Sequence, residues 1–529
     1  MDLHTAGHRQ GVVCAPHHAA AEAGRAIIAD GGNALEAMVA MAATIAAVYP
    51  HMNHIGGDGF WLVREPSGRV RALMAAGRAG ANARPELYRD YETIPPRGPL
   101  AALTVPGAIA GWSLALEAAR AHGGRLPPGE LLAPAIRHAR EGYVVTRSQA
   151  RLTTEKLAEL KDVPGFAPAF LIDGKPPDAG KVLKQPALAA TLDQLAHAGL
   201  NDFYRGDVGR EVAADLERLG SPVTRADLER CRATLAEPLS VKLDIGVLFN
   251  TPPPTQGLAS LMIIALFERL RVREAEGFDH VHGLVEATKR AFRVRDRVIT
   301  DPERIAHPPE RYLDAKFLDA EARKIDRRKA APWPAPAGDG DTIWMGAADA
   351  SGLVVSYIQS LYWEFGSGLV LPRTGVLMQN RGASFSLDRG ALNALAPGRL
   401  PLHTLNPALA VLADGRVIGY GTMGGDGQPQ TQAALFTRHV TFRQPLDRAI
   451  DAPRWVLGRT WASTHTNVRM EARFDGNLVE RLLSAGHDVE LLAEPYSDVM
   501  GHAGAVVRHP DGTLEGAHDP RADGGAAGT

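Results

Sequence analysis

The chain has 529 residues, 45% of them hydrophobic and 22% charged, the balance of an ordinary globular protein. Its formal net charge of −2 gives it no electrostatic pull toward nucleic acid or an anionic membrane. Two cysteines, Cys14 and Cys231, lie far apart and outside any CxxC pattern; they exclude a disulfide framework and a thiolate zinc site, and both read as buried small hydrophobes.

The first residues lack a basic stretch followed by an apolar one, so no signal peptide and a cytoplasmic location are expected. Two helices are predicted at 18–30 and 34–48, parted by Gly31-Gly32, with Asn33 as the N-cap of the second. The second is apolar nearly all round, which predicts burial on several sides. Glu36 within it and Pro50 after it make it too charged and too short for a membrane span. A hairpin follows at 59–64 and 69–74. Residues 105–330 read mainly as helix, with segments at 128–141, 186–198, 208–219, 257–272 and 281–299. A short strand at 247–250 is ended by Pro252-Pro253-Pro254. Residues 330–341, rich in Pro and Ala, cannot bury a core and predict an exposed or mobile linker. Strand–turn–strand patterns return at 342–348 and 353–358, at 408–412 and 417–420, and at 503–507 and 514–516; helices are predicted at 427–439 and 475–486. Hairpins bracketing a helical middle predict an α+β fold, antiparallel sheet with helices packed on it.

The segment richest in chemistry is Gly340-Asp341-Thr342, where linker meets hairpin. A threonine hydroxyl is a poor nucleophile without a base beside it. Cutting the chain before Thr342 would create one, its own α-amino group, with a pKa of roughly 7.7–8.0. Standing alone, an Asp-Thr pair is an ordinary strand start. The turn Gly421-Thr422-Met423-Gly424-Gly425-Asp426-Gly427 follows a strand and enters a helix. Such a turn cradles an anion, gives two N–H donors to an oxyanion, or holds no ligand. Ile55-Gly56-Gly57-Asp58-Gly59-Phe60 lies between helix and strand, the reverse of a dinucleotide site, and reads as a tight structural turn. His51 and His54 follow a helix-breaking proline without an acidic third ligand and read as polar loop residues, not a metal site. Arg78, among small residues after a strand, has room to fork onto a carboxylate. GxSxG and GxxxxGK[ST] are both missing, which leaves neither a serine α/β-hydrolase nor a P-loop NTPase. Nothing in these motifs requires a cofactor or a metal.

Taken together, these segments resemble the γ-glutamyltranspeptidase family of N-terminal-nucleophile hydrolases. The resemblance runs over nearly the whole chain. It is carried by Gly31-Gly32-Asn33-Ala34, Pro50-His51, Ile55-Gly56-Gly57-Asp58-Gly59-Phe60, Val105-Pro106-Gly107, Phe203-Tyr204-Arg205-Gly206, Asp341-Thr342, Phe365-Gly366-Ser367-Gly368, Pro401-Leu402, Gly424-Gly425 and Asp519-Pro520-Arg521. It implies an αββα sandwich made as a proenzyme that cuts itself between Asp341 and Thr342. Residues 1–341 become a large subunit and 342–529 a small one, interlocked as a heterodimer, with pairing into a dimer of heterodimers left open. It also implies Thr342 as nucleophile, Gly424 and Gly425 as oxyanion donors, Ser360 as the hydroxyl beside the nucleophile, and Arg78 as the substrate's carboxylate holder.

The sequence departs from that family where the substrate's ammonium should be held. Ser384 stands in place of the aspartate, Tyr362 in place of an asparagine, and His403-Thr404 in place of paired serines. An unpaired ammonium in a buried pocket costs several kcal/mol, so glutathione is expected to bind poorly. A small amide bearing a carboxylate and no amine fits better, and the resemblance then points to the family's oxamate amidohydrolase-like branch, releasing ammonia. The alternatives are a γ-glutamyl peptide hydrolase or transferase, and an uncleaved carboxylate-binding protein.

Overall fold

The computed structural model describes residues 1–333, 341–458 and 466–529. One seven-stranded antiparallel sheet runs, edge to edge, through Gly525–Gly528, Gly11–Ala15, Asp341–Asp349, Val354–Tyr362, Asp58–Arg64, Val70–Ala75 and Thr234–Ala236. A second runs through His4–His8, Leu514–His518, Gly504–Arg508, Val417–Gly421, Ala408–Leu412, Gly246–Asn250 and Leu239–Leu243. Each sheet takes strands from before and after residue 341.

The sheets face each other across a core that includes Val12, Leu62, Trp344, Val354, Leu409 and Val506. Along Asp341–Asp349 the two-residue period decides which way each side chain goes. Trp344 and Ala348 enter this inter-sheet core, while Ile343, Met345 and Ala347 face the first helical layer. A second helical layer, built on Gly257–Leu270, Phe278–Val298 and Gly427–Phe436, covers the other sheet. The result is the expected four-layer αββα sandwich.

Helix Ala34–Val48 is buried along its whole length, as its all-round apolar pattern predicts. Its start is fixed by a capping box: the Asn33 side chain accepts from Leu35 and Glu36 N–H, and Glu36 Oε2 accepts from Asn33 N–H at 2.9 Å. Small residues let its neighbours approach closely. A Cβ on Gly24 would sit 2.5 Å from Met41 Sδ.

Among the segments where the sequence pattern places no element but the chain folds regularly are helices Ala108–Ala121 and Arg147–Leu160 and strands Gly11–Ala15 and Leu239–Leu243. Gly11–Ala15 is buried throughout and so lacks the alternation that marks a half-exposed strand. The helix predicted at 427–439 ends at Phe436 and continues as a π-turn over Thr437–Thr441. Of the linker predicted at 330–341, residues 334–340 lie outside the described residues. Its described start is not free: Ala330 N–H bonds Ala485 O, Lys289 Nζ bonds Ala331 O at 2.8 Å, and Arg293 bonds Pro332 O.

Candidate active site

Thr342 is the second residue of the strand Asp341–Asp349, and the pairing register with Val354–Tyr362 shifts there. Such a bulge re-aims a side chain. Thr342 is fully buried, and its Oγ1 donates to Ser360 Oγ at 3.2 Å. Ser360 Oγ in turn accepts from Tyr362 N–H at 2.8 Å. From a third direction Gln428 Nε2 reaches Thr342 Oγ1 at 3.5 Å. Tyr362 has φ 88°, a conformation a tyrosine adopts at a cost of about 1–3 kcal/mol. The glycine run before the Asp58 strand serves this wall: a Cβ on Gly57 would lie 2.1 Å from Ser360 O. It is a structural turn, as expected, and it touches the site.

Gln428 belongs to the first turn of helix Gly427–Phe436, which the Gly424-Gly425 turn opens. Both glycines have positive φ, 111° and 52°. The Gly424 carbonyl accepts from Gly427 N–H at 2.7 Å, and the Gly425 carbonyl from Gln428 N–H at 3.2 Å. With both carbonyls held, and neither glycine N–H bonded among the described residues, two donors remain for a ligand. The turn is buttressed from beneath. Gln256 Nε2 donates to Gly425 O at 2.9 Å and to Thr404 O at 2.7 Å, bridging the glycine turn and the His403-Thr404 loop. Arg295 donates to Gln256 Oε1 at 2.8 Å and pairs with Asp426 at 2.6 Å, and all three residues are buried.

The remaining wall is polar, buried and under-satisfied. Arg381 lies 3.8 Å over the Tyr362 ring and is 1% exposed. Its Nη1 reaches Leu402 O at 3.5 Å and its Nη2 has no partner among the described residues. Burial pushes this guanidinium down to about 10. His403 is fully buried, kept neutral by burial and then by Arg381, with both ring nitrogens unbonded. Thr404 Oγ1 is also unbonded. Ser384 uses its hydroxyl on Arg381 O and Leu402 O, tying these two loops together.

Behind His403 lies Asp58. Its Oδ1 accepts from Gly77 and Gly107 N–H at 3.0 and 2.9 Å, and its Oδ2 stands 3.5 Å from His403 Nε2. Burial raises the Asp58 carboxyl to about 7, against the pull of the Gly77 N–H and the Arg381 charge. Near neutrality Asp58 is therefore poised between acid and carboxylate.

The structure thus brings Thr342, Ser360, Tyr362, His403, Thr404, Ser384, Gly424 and Gly425 into one linked cluster. Arg78 stands apart from those contacts. It lines a cleft of about 620 Å³ with Phe60, the Pro252-Pro253-Pro254 turn and Glu303. Its side chain is 45% exposed and donates to Gly398 O at 2.9 Å and Glu303 Oε1 at 2.6 Å. Phe60 joins the two regions, for it lines the cleft and meets the His403 ring edge-on at 4.9 Å.

One further expectation needs adjusting. Cys14 is buried as predicted, but Cys231 is only half-buried and lines a smaller cavity beside Arg78. His51 and His54 lie in the loop after the helix, as expected, and are fully buried there; His54 Nδ1 accepts from Leu377 N–H and His51 Nε2 meets Ser148 Oγ. His282, Glu286 and His487 have metal-ligand spacing but hold one another and their neighbours: His282 Nδ1 is 2.8 Å from His487 Nε2, and Glu286 pairs with Lys289 at 2.7 Å. Asp58, Gln256, Arg295, Arg381 and Asp426 were not singled out from sequence. Arg381 had the best signal, a charge within the very segment where the expected aspartate is missing.

The family model described as Gamma-glutamyltranspeptidase matches residues 20–529. The chain is 52% identical to an oxamate amidohydrolase proenzyme of Klebsiella pneumoniae over 519 residues, covering 98% of each. It is 38% identical to the glutathione hydrolase-like YwrD proenzyme of Bacillus subtilis, covering 100% of both. Among solved structures, a cephalosporin acylase from Bacillus halodurans superposes with a TM-score of 0.91 at 31% identity, covering 99% of this chain and 97% of that one.

Proposed function

The chain belongs to the γ-glutamyltranspeptidase family of self-processing N-terminal-nucleophile hydrolases, and from that premise we propose that it is an amidohydrolase for a small carboxylate-bearing amide of the oxamate type. The observation that carries the reading is the Thr342–Ser360 hydroxyl pair at the head of a strand, reached by the helix that the Gly424-Gly425 turn opens. In maturation the Thr342 hydroxyl attacks the Asp341 carbonyl and water opens the resulting ester, giving fragments 1–341 and 342–529. In turnover Thr342 Oγ1 attacks the substrate amide carbon while its α-amine takes the hydroxyl proton. Ser360 aims the hydroxyl, and the two glycine N–H groups hold the oxyanion, a contribution of about 10²–10³ in rate per donor. The C–N bond breaks, the amine returns its proton, ammonia leaves and water releases the acid. The fragments remain one heterodimer; pairing of heterodimers is a further possibility of the same reading.

A second reading, hydrolysis or transfer of γ-glutamyl groups, is favoured by the full-length likeness to the Bacillus protein. One experiment separates them. Intact mass spectrometry of wild type and Thr342→Ala is expected to give two fragments and one uncut chain. The cut enzyme is then assayed for ammonia from oxamate and for glutamate from glutathione. A glutathione rate far above the oxamate rate would sink the first reading. An uncut, inactive wild type would favour a carboxylate-binding protein over both.

A further inference from the structure

Arg381 carries a full charge, is 1% exposed and has a guanidinium nitrogen without a hydrogen-bond partner among the described residues. Among the described residues no carboxylate lies within ion-pairing distance of it. Asp58 favours the charged form of Arg381 from a distance but makes no contact with it, and a buried charge so weakly compensated is unfavourable until a ligand completes it. Its position is set by three contacts: the stack on Tyr362, the reach of Nη1 to Leu402 O, and Ser384, which ties the Arg381 and Leu402 carbonyls through one hydroxyl. The path to the reacting atom is short. Tyr362 N–H bonds Ser360 Oγ, and Ser360 Oγ accepts from Thr342 Oγ1. Unbonded His403 nitrogens and Thr404 Oγ1 lie in the loop that begins just after Leu402.

We propose that Arg381 is the specificity-determining residue of the acyl pocket, binding a substrate carboxylate that is adjacent or nearly adjacent to the scissile carbonyl. This rests on reading the Thr342 pocket as the amidase site, and it narrows the substrate to monoamides of the shortest dicarboxylic acids, such as oxamate and malonamate. A guanidinium offers two parallel N–H donors to a carboxylate. The same charge repels an ammonium in a low-dielectric pocket, so a γ-glutamyl head group is rejected by repulsion as well as by a missing acid. Arg78, exposed and held by Glu303 and Gly398 O, then contributes at the outer cleft.

The test is calorimetric titration of the mature, cut enzyme with oxalate and with malonate, alongside oxamate kinetics. Wild type is expected to bind at least one of the dianions. Arg381→Met is expected to weaken that binding about 100-fold and to raise KM for oxamate far more than it lowers kcat. Arg381→Lys keeps the charge but loses the fork, and should recover part of the affinity. Should Arg381→Met fail to mature, the lysine variant alone decides, with about tenfold weaker binding expected. Unchanged dianion affinity in either variant would overturn the proposal, as would a wild type that binds neither. Ammonia release by wild type is scored separately: if oxamate is not hydrolysed but the dianion binds through Arg381, the carboxylate site stands and the amidase reading falls.

Discussion

Arg78 and Arg381 show how differently one side chain behaves on two sides of a phenylalanine. Arg78 lines an open cleft, 45% exposed, with its guanidinium shared between a carbonyl and a surface glutamate. Arg381 lies beyond Phe60 and His403, 1% exposed, stacked on a ring and short of partners. Water and salt screen the first, whereas the second acts at full strength in a medium of low dielectric. The lesson is that the more conspicuous arginine in the sequence need not hold the stronger field.

A third arginine gives the sharpest contrast. Arg295 is as buried as Arg381 but is paired with Asp426 and bonded to Gln256. Arg295→Met removes the buried guanidinium that pairs with Asp426, and should destabilise the uncleavable Thr342→Ala chain by about 3–5 kcal/mol in urea unfolding. Arg381→Met in the same background removes a buried charge that no carboxylate contacts directly, and should leave stability unchanged or raised. If the two lose stability equally, Arg381 is a structural arginine and the contrast collapses.

The next effect is in pH. The Asp58 carboxyl is raised by burial to about 7, so the folded state holds its proton more tightly than the unfolded chain. Stability should therefore fall as pH rises from about 4 to about 7, and Asp58→Asn should remove that slope. Urea midpoints for both chains at the two ends of this window decide the matter; equal slopes would place the titration elsewhere.

Arg78→Ala should raise KM for oxamate by less than about tenfold, with the cut at Asp341/Thr342 intact, because a screened, shared guanidinium has less to give. A larger rise than that of Arg381→Met would reverse the assignment of inner and outer arginine. Smallest of all, Glu303→Gln should change stability by no more than about 1 kcal/mol, as for other exposed pairs.

Much of this molecule could be read from its residues. The helix Ala34–Val48 and its Asn33 cap follow from local pattern, as do the hairpin carrying Thr342 and Ser360 and the glycine turn at 424–425. Each is specified within a few residues of itself. The support of the site is not. Gln256 meets Gly425 and Thr404 across 169 and 148 positions of sequence, and Arg295 meets Asp426 across 131. No spacing rule predicts such contacts, because the fold alone brings them together. Arg381 was visible as a letter, but its burial depends on Tyr362 and on the 402–404 loop, and so its meaning was not. Gly11–Ala15 escaped for the opposite reason: buried on both faces, it has no alternation to betray it.

The interleaving of strands from before and after residue 341 has a consequence for the lifetime of the protein. The proposed cut at the head of the strand Asp341–Asp349 would leave each sheet stitched from two polypeptides, and neither piece would own a whole sheet. Before the cut, assembly is a first-order event within one chain. After it, a molecule that unfolds must find its other half by diffusion, at a rate set by concentration. Maturation at that point would therefore act as a ratchet: the chain would fold once as a single piece, and the cut enzyme would survive by the slowness of its unfolding rather than by the ease of its return.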